Sequence, residues 1–427
     1  MPTTVPKYIP GAKTQQILLC LFVVLIYSAL TGCNKQESQN IPTLHWYVFN
    51  ERSGAFKKAA QQCTQAAKQA YKIKFVPLPA DADQQREQLV RRLAAKDSDI
   101  DIIGMDVIWT AEFARAGWIL PWTEDLAKQA KAGRLQTAIQ SVSFQNQLWA
   151  IPFTTNTQLL WYRTDRVKKP PATWDEMLHQ AEALGKVGKI QAQGERYEGF
   201  TVFFISLLAS AGTSVLDDSN KHIALDRNAT LKALTIMSRF ANSSAADPAL
   251  ATSRENQARL AFEKGDSTFM LNYTFVWPSA KKNAPKIAKH MGWARWPAVV
   301  KGQPSRVTIG GINLGVSAYS RYPALAYKAA TCLASKSNQR IAASVGGMPP
   351  TIAALYDDPQ VRKTFPFADT LLATLRDAVQ RPQTPLYSDV SMAISRTLHP
   401  MRNIKPRRDY PRLYKAIKRA LNSEGLL

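Results

Sequence analysis

Four side chains sit where chemistry is expected. Asn50 and Glu51 close an apolar, β-rich run, Thr43 to Asn50 (TLHWYVFN), and Asp106 closes another, Asp99 to Asp106 (DIDIIGMD). Asn156 is the polar centre of an extended run, Trp149 to Tyr162 (WAIPFTTNTQLLWY). Carboxylates and side-chain amides brought together either move protons or hold a ligand rich in hydroxyls, since each offers paired hydrogen-bonding groups. Plainer uses exist: Asp106 can cap the segment Ile108 to Ala116, and Asn156 can satisfy backbone at a crossing. Patterns for nucleophilic, metal or phosphate chemistry (Gly-x-Ser-x-Gly, His-Glu-x-x-His, Cys-x-x-Cys, a phosphate loop) do not occur. His45, His179, His222, His290 and His399 are scattered, so no metal site and no cofactor are expected. A binding site stays open, and so does a carboxylate pair of the glycosidase kind, Asp106 with Glu255.

The elements that must position these residues follow from pattern. Ser53 can cap a helix with Phe56, Ala60, Cys63, Ala67 and Ala70 on one face. Lys72 to Pro79 (KIKFVPLP) reads as a second strand, and Asp83 starts a helix with Leu89 and Leu93 inward. With the third strand this βαβαβ order predicts a parallel sheet with helices on both faces. Ligands of such sheets sit beyond the carboxyl ends of the strands, where the strand order reverses. A 2-1-3 order makes the first and third strands neighbours and brings Asn50, Glu51 and Asp106 to one crevice. The run through Asn156 suits a strand crossing from one lobe into another. Thr173 to Glu176 reads as a capping box, and helices are predicted over 203–212 and 228–241. Glu255 to Lys264 is amphipathic and ends at Gly265, and Thr268 to Tyr273 (TFMLNY) reads as a strand. Val307 to Ser317 is extended, with a Gly310-Gly311 pair that permits close backbone approach. Leu413, Ile417 and Leu421 mark a basic amphipathic helix near the C-terminus.

Lys7 and Lys13 precede an almost unbroken apolar run, Ile17 to Leu30, and Leu30-Thr31-Gly32-Cys33 resembles the lipobox of bacterial lipoproteins. The expectation is a signal peptide over 1–32, lipidation at Cys33, a polar tether over 33–42, and a chain held at the outer face of the cell membrane. Export uses up Cys20 and Cys33, and an oxidising compartment would pair the two that remain, Cys63 and Cys332. Losing Lys7 and Lys13 takes the net charge from +23 to +21. Such a surface attracts anionic lipids and wall polymers, but the cations are scattered and no nucleic-acid partner is expected. The length exceeds one core, so two lobes are expected.

Several runs are familiar: LVRRLAAKDSDIDIIGMDVIWTAEFARAGWILP, WAIPFTTNTQLLWY, ARLAFEKGDSTFMLN, IGGINLGVS and RPQTPLYS. They resemble the sugar-binding lipoproteins of bacterial ABC importers, the maltose-binding-like family, and within it the mycobacterial trehalose-binding branch. The resemblance implies an α/β, two-lobe periplasmic-binding-protein-like fold of class II, each lobe a mostly parallel sheet flanked by helices. It implies an N-terminal lobe from 43–152 and 317–349, and a C-terminal lobe from 153–308 and 352–427. The hinge crossings fall near 151–158, 309–316 and 349–352. It places ligand contacts on Asn50, Glu51, Gln85, Asp106, Asn156, Glu255, Tyr273, Gly311 and Arg381. Two departures stand out: Tyr273 replaces a stacking tryptophan, with Trp277 nearby, and the segment between Trp277 and Ile309 is shorter.

The residue types agree with that implication. Asp106, Asn156 and Glu255 serve hydroxyls, Arg381 supplies a planar donor fork, and Tyr273 can cover the C–H face of a sugar ring. The expected function is capture of a disaccharide, trehalose foremost, by a monomer that delivers it to permease subunits driven by an ATPase, without catalysis. Another oligosaccharide or a glycerophosphodiester is the alternative, and a secreted glycosidase a remote one.

Overall fold

The apolar runs of the first hundred residues pair as parallel strands. In the computed structural model β1 (Thr43–Phe49) lies between β2 (Lys72–Leu78) and β3 (Ile102–Asp106), parallel to both. The structure describes residues 1–7 and 41–424. Cys33, most of the expected signal peptide and most of the tether lie outside the described residues. Pro42–Leu427 forms one compact unit by itself. No helix among the described residues is long and apolar enough to cross a membrane.

Two short strands, β4 (Ser143–Phe144) and β5 (Gln147–Leu148), form a hairpin. The chain then runs through β6 (Ile151–Asn156) directly into β7 (Leu159–Arg163). The first sheet has the order β2-β1-β3-β11-β6, where β11 is Gly310–Val316. The second has the order β10-β7-β9-β8, with β8 at Lys189–Gln191, β9 at Ser267–Asn272 and β10 at Met291–Ala294. So β6 and β7, two residues apart, belong to different sheets, with Asn156 ending the first.

The architecture is α/β, and each sheet runs mostly in one direction with a single reversed strand, β11 in the first and β7 in the second. Parallel pairing is confined to β1–β2, β1–β3 and β8–β9. β11 runs antiparallel to both β3 and β6, and β7 runs antiparallel to both β9 and β10. The reason is connectivity. A right-handed βαβ crossover gives a parallel neighbour, whereas β11 re-enters the first sheet from the far side and meets β3 head to tail.

Each sheet buries its own core. Trp46 on β1 meets Phe56 and Phe153 at centroid distances of 5.0 and 5.8 Å, with Leu44, Val48, Ile102 and Leu314 around them. Against the second sheet packs the Glu198–Ser210 helix, starting five residues before the predicted 203 and buried on nearly every face. The Ala55–Ala66 helix is shorter than its predicted apolar face, since Ala67 already caps it and Ala70 lies beyond. Its start is held by Gly54 at φ +86° and by the Ser53 hydroxyl, which accepts from the Ala55 N–H at 3.3 Å.

Cys63 in that helix is bonded to Cys332 in the Pro323–Leu333 helix, with a Cα–Cα distance of 5.8 Å across 269 residues of chain. A link of this span removes loop entropy from the unfolded chain. Replacing both cysteines by serine should lower stability by about 2–4 kcal/mol, read from urea unfolding. Linked peptides in a non-reducing digest should identify the bond. Two freely alkylated thiols in the native protein, with an unchanged urea midpoint, would show that the cysteines are not paired.

Candidate functional site

The polar seam between the two sheets is built around Arg381. The segment carrying it runs beside the crossing chain, where the Ile309 N–H donates to the Val379 carbonyl at 3.0 Å. Arg381 is 6 % exposed. Its Nη1 donates to Glu198 Oε1 at 2.7 Å, and its Nη2 to Asp106 Oδ1 at 3.1 Å and to the Ile309 carbonyl at 3.4 Å. Asp106 ends β3 of the first sheet, while Glu198 opens the long helix on the second. Glu198 also accepts from the Tyr387 and Ser391 hydroxyls, both on the Tyr387–Leu398 helix. Burial works against the Arg381 charge, but Asp106, Tyr387 and Glu198 outweigh it and hold the proton more firmly than usual. Asp106 has two uses, since its Oδ1 also accepts from the Ile108 N–H at 3.2 Å as a helix cap.

Three further side chains are linked to one another here, and Tyr273 among them feels the Arg381, Asp106 and Glu198 charges. Glu255 opens the Glu255–Lys264 helix, and burial pushes its carboxyl up, against the opposing effect of the adjacent Tyr197 hydroxyl. Tyr273 follows β9, where the Asn272 amide fixes both ends of the turn: its Nδ2 donates to the Glu255 carbonyl at 2.9 Å, and its Oδ1 accepts from the Tyr273 N–H at 2.9 Å. The Tyr273 hydroxyl is held above its ordinary value by burial first and then by Glu255. At this seam two buried donors have no partner, Arg381 Nε and the Tyr197 hydroxyl, the latter lying beside Glu255 but outside hydrogen-bond geometry with it.

A second set of charges faces this seam. Arg254 donates to Asp81 at 2.6 Å and to Glu195 at 2.6 Å, and its guanidinium lies 4.5 Å from the Tyr197 ring centroid. Asp81 caps the Ala82–Ala94 helix by accepting from the Gln84 N–H. That helix flanks the first sheet, while Arg254 and Glu195 belong to the segments around the second, so the ion pair spans the cleft. Asp83, Arg86, Trp109, Tyr197, Glu198 and Tyr387 line an adjoining groove of about 500 Å³. Burial raises the Asp83 carboxyl to about 6, aided by Glu198 and Asp81 and opposed by Arg254 and Arg86. No group of three or more potential metal ligands occurs among the described residues.

Of the residues singled out from sequence, the structure brings Asp106, Glu255, Tyr273 and Arg381 together. The Glu51 carboxylate is spent locally, accepting from the Ser53 N–H at 2.5 Å and the Phe56 N–H at 3.4 Å. Gln85 is buried and donates to the Ala80 carbonyl at 3.3 Å. Asn156 Oδ1 accepts from the Thr157 N–H at 3.0 Å, turning the chain out of β6. Asn50 is exposed after β1, its N–H donating to the Leu78 carbonyl. Gly311 has φ +134°, and a Cβ there would lie 2.2 Å from the Thr154 carbonyl oxygen, so β6 and β11 can approach only at glycine. Sequence reasoning missed Glu198, Tyr197, Tyr387, Ser391, Asp81 and Arg254. A signal existed for Glu198: a single acid heads the otherwise apolar segment EGFTVFFISLLAS.

Removing one partner of a buried ion pair strands the others. Arg381→Met should therefore cost about 3–5 kcal/mol of stability in urea unfolding, and a loss below about 1 kcal/mol would mean the carboxylates are solvated without it. Asp83 gives a pH signature. Its folded carboxyl holds the proton more tightly than the unfolded one, so its contribution is fully present below the unfolded value and lost as pH rises through about 6. Asp83 is exposed on its helix, so solvent screens the shift and keeps the effect small. Asp83→Asn should flatten the fall in melting temperature between about pH 4 and pH 7. A parallel fall in both proteins would assign the pH dependence to other groups.

Residues 50–340 match the family model for bacterial extracellular solute-binding proteins. A Deinococcus radiodurans protein named "Probable ABC transporter-binding protein" is 31% identical over 356 residues, covering 78% of this chain and 82% of that one. Maltose-bound MalE3 of T. maritima superposes with a TM-score of 0.77 at 27% identity, over 89% of this chain and 98% of that one. The GacH receptor of Streptomyces glaucescens, solved unliganded and with acarbose, gives 0.77 at 20% identity over 89% and 98%. The fold is thus the two-lobe, maltose-binding-like one. The matched family and these neighbours bind solutes and are not enzymes, so the glycosidase reading of Asp106 and Glu255 falls. With the polar seam between two α/β sheets and this match over most of its length, the chain belongs to the bacterial extracellular solute-binding protein family.

Proposed function

We propose that this protein captures a disaccharide, trehalose foremost, between two lobes and delivers it to the permease of an ABC importer driven by an ATPase. It does so as a monomer at the outer face of the membrane, held by a lipid on Cys33. The observation that carries this reading is the seam at Arg381. A buried guanidinium joins carboxylates attached to both sheets, and its free Nε and the unpartnered Tyr197 hydroxyl leave donors for a ligand. Tyr273 adds an aromatic face. A disaccharide answers such a site with many hydroxyls and two C–H faces.

The lobes in this reading are 43–152 with 317–349, and 153–308 with 352–427, joined by crossings near 151–158, 309–316 and 349–352. The ligand set is Asn50, Glu51, Gln85, Asp106, Asn156, Glu255, Tyr273, Gly311 and Arg381, now extended by Tyr197 and Glu198. Glu51 and Gln85 act through the backbone they hold rather than by free side chains. Closure follows from differential contact: only with the lobes together do Asp106 and Glu255 reach one ligand, so sugar favours the closed state. The Asp81–Arg254 pair would break on opening.

A maltose-type glucoside is a second reading, favoured by the 27% identity to maltose-bound MalE3. A glycerophosphodiester fits poorly. Asp106, Glu198 and Glu255 outnumber the one central cation, Arg381, whose charge they already balance, so a phosphate would meet net repulsion.

A thermal-shift panel separates these readings, because a ligand of the folded state raises the melting temperature with its concentration over Kd. Trehalose should stabilise the protein and glucose should do little, since one ring cannot span both lobes. Asp106→Ala should abolish the trehalose shift, as charge-assisted hydrogen bonds are worth about 1.5–3 kcal/mol each. A larger shift from maltose would move the ligand to the second reading, and normal trehalose binding by Asp106→Ala would leave Asp106 as a helix cap only. Small-angle scattering across the same titration should show the radius of gyration falling, and an unchanged radius at saturation would replace closure by a rigid pocket.

A further inference from the structure

A second concave surface shares no residue with the Arg381 seam. It is a groove of about 760 Å³ walled by four helices: Ala55–Ala66, Val276–Asn283, Lys336–Ser344 and Pro359–Thr364. Lys58, Lys281, Lys282, Lys363 and Arg340 line it, and no carboxylate does. Arg340 is neutralised by Asp358, which accepts from its Nε at 2.8 Å and caps the fourth helix. The four lysines are exposed, and none makes an ion pair among the described residues. Like charges gathered in a concavity repel one another and focus a positive potential outward, a cost that an anionic occupant removes. The floor is partly apolar. Trp277 is stacked on Trp161 at 6.5 Å, with the Lys281 ammonium 5.9 Å from its ring centroid, and Val345 at the rim is 44% exposed.

We infer that this groove binds an acidic polysaccharide, a sugar chain bearing repeated carboxylates. The lysines meet its charges as mobile point donors, which suits anions spaced along a chain better than one fixed anion. The indole offers a surface for the C–H face of a sugar ring. The Ser344 and Thr364 hydroxyls donate to their own helix carbonyls, at 2.7 and 3.2 Å, and so present acceptors to sugar hydroxyls. A flat lipid bilayer cannot enter a groove between helices. An acidic peptide would bring backbone amides for which the groove supplies few partners. The occupant touches the Ala55–Ala66 helix, which packs on the first sheet, and the Val276–Asn283 and Pro359–Thr364 helices, which pack with the second. Binding therefore ties the protein to an anionic polymer by a face separate from the cleft.

The test uses the full chain without its signal segment and hexagalacturonate as the probe, with binding measured by calorimetry at low and high salt. The wild type should bind, weakening steeply with salt as exposed charge pairs are screened. Each lysine–anion contact is weak alone. Lys58→Gln, Lys281→Gln, Lys282→Gln and Lys363→Gln combined should lower affinity about tenfold or more. A control removes four charges elsewhere, at Lys405, Arg407, Lys415 and Lys418, each replaced by Gln, and should bind as the wild type does. Equal weakening in both variants would overturn the groove in favour of net charge alone. So would equal binding of the methyl-esterified, uncharged hexamer. Tighter binding of poly-glutamate, or binding to phosphatidylglycerol vesicles in place of the uronate chain, would overturn the carbohydrate assignment. Melting curves of both variants, expected to match the wild type because all eight side chains are exposed, guard against a folding defect.

Discussion

A guanidinium taken out of water survives only if carboxylates follow it, and much of this molecule is arranged to satisfy Arg381. Its desolvation is opposed by Asp106 at the end of a strand in the first sheet and Glu198 at the head of a helix on the second. Neither lobe alone provides both. The ion pair therefore fixes where the two sheets meet as well as what lies between them. Glu198 in turn needs the Tyr387 and Ser391 hydroxyls, which brings in the helix after the Arg381 loop. Buried charge of this kind adds little net stability compared with an apolar core of the same volume. At this seam it leaves one donor, the Arg381 Nε, without a partner.

The strand pattern supports that seam. β1, β2 and β3 deliver their carboxyl ends to one edge, as parallel strands must. β11 enters beside them from the opposite direction and β6 beyond it runs their way again, the two carrying the chain to and from the second sheet. Their close approach depends on Gly311, whose missing Cβ leaves room for the Thr154 carbonyl. The crossing backbone is thus drawn to within hydrogen-bond reach of Arg381 at Ile309. Across the cleft, Arg254 and Asp81 add a contact that depends on the sheets being together.

The charge distribution separates two kinds of surface. The chain as a whole carries +23, yet its central seam gathers acids around one arginine. Lysines collect instead in the outer groove beside Trp277. In the proposed reading, attraction of anions and recognition of a neutral polyol occur on different faces without interfering, because exposed charges are screened within about 10 Å while the buried seam is not.

Local physics made a good part of this structure legible in the sequence. Alternating or apolar runs with polar ends identified β1, β2 and β3 and their 2-1-3 order. Amphipathic spacing ended by Gly265 gave the Glu255–Lys264 helix, and Thr173 does accept from the Glu176 N–H at the start of its helix. Asp106 could be read both as a cap and as a strand-end ligand, since both uses follow from its place in the chain. The Glu198 helix began earlier than predicted because a helix buried on every side loses the periodicity that reveals it. The antiparallel entry of β11 was hidden because strand direction depends on the route the chain takes between sheets. Above all, Arg381 lies 275 residues from Asp106 and 183 from Glu198. In a chain with 55 cations and 32 acids, nothing local chooses those partners. The tertiary structure chooses them, because the energy of a charge pair depends on its distance and burial in space, and neither is a property of any segment alone.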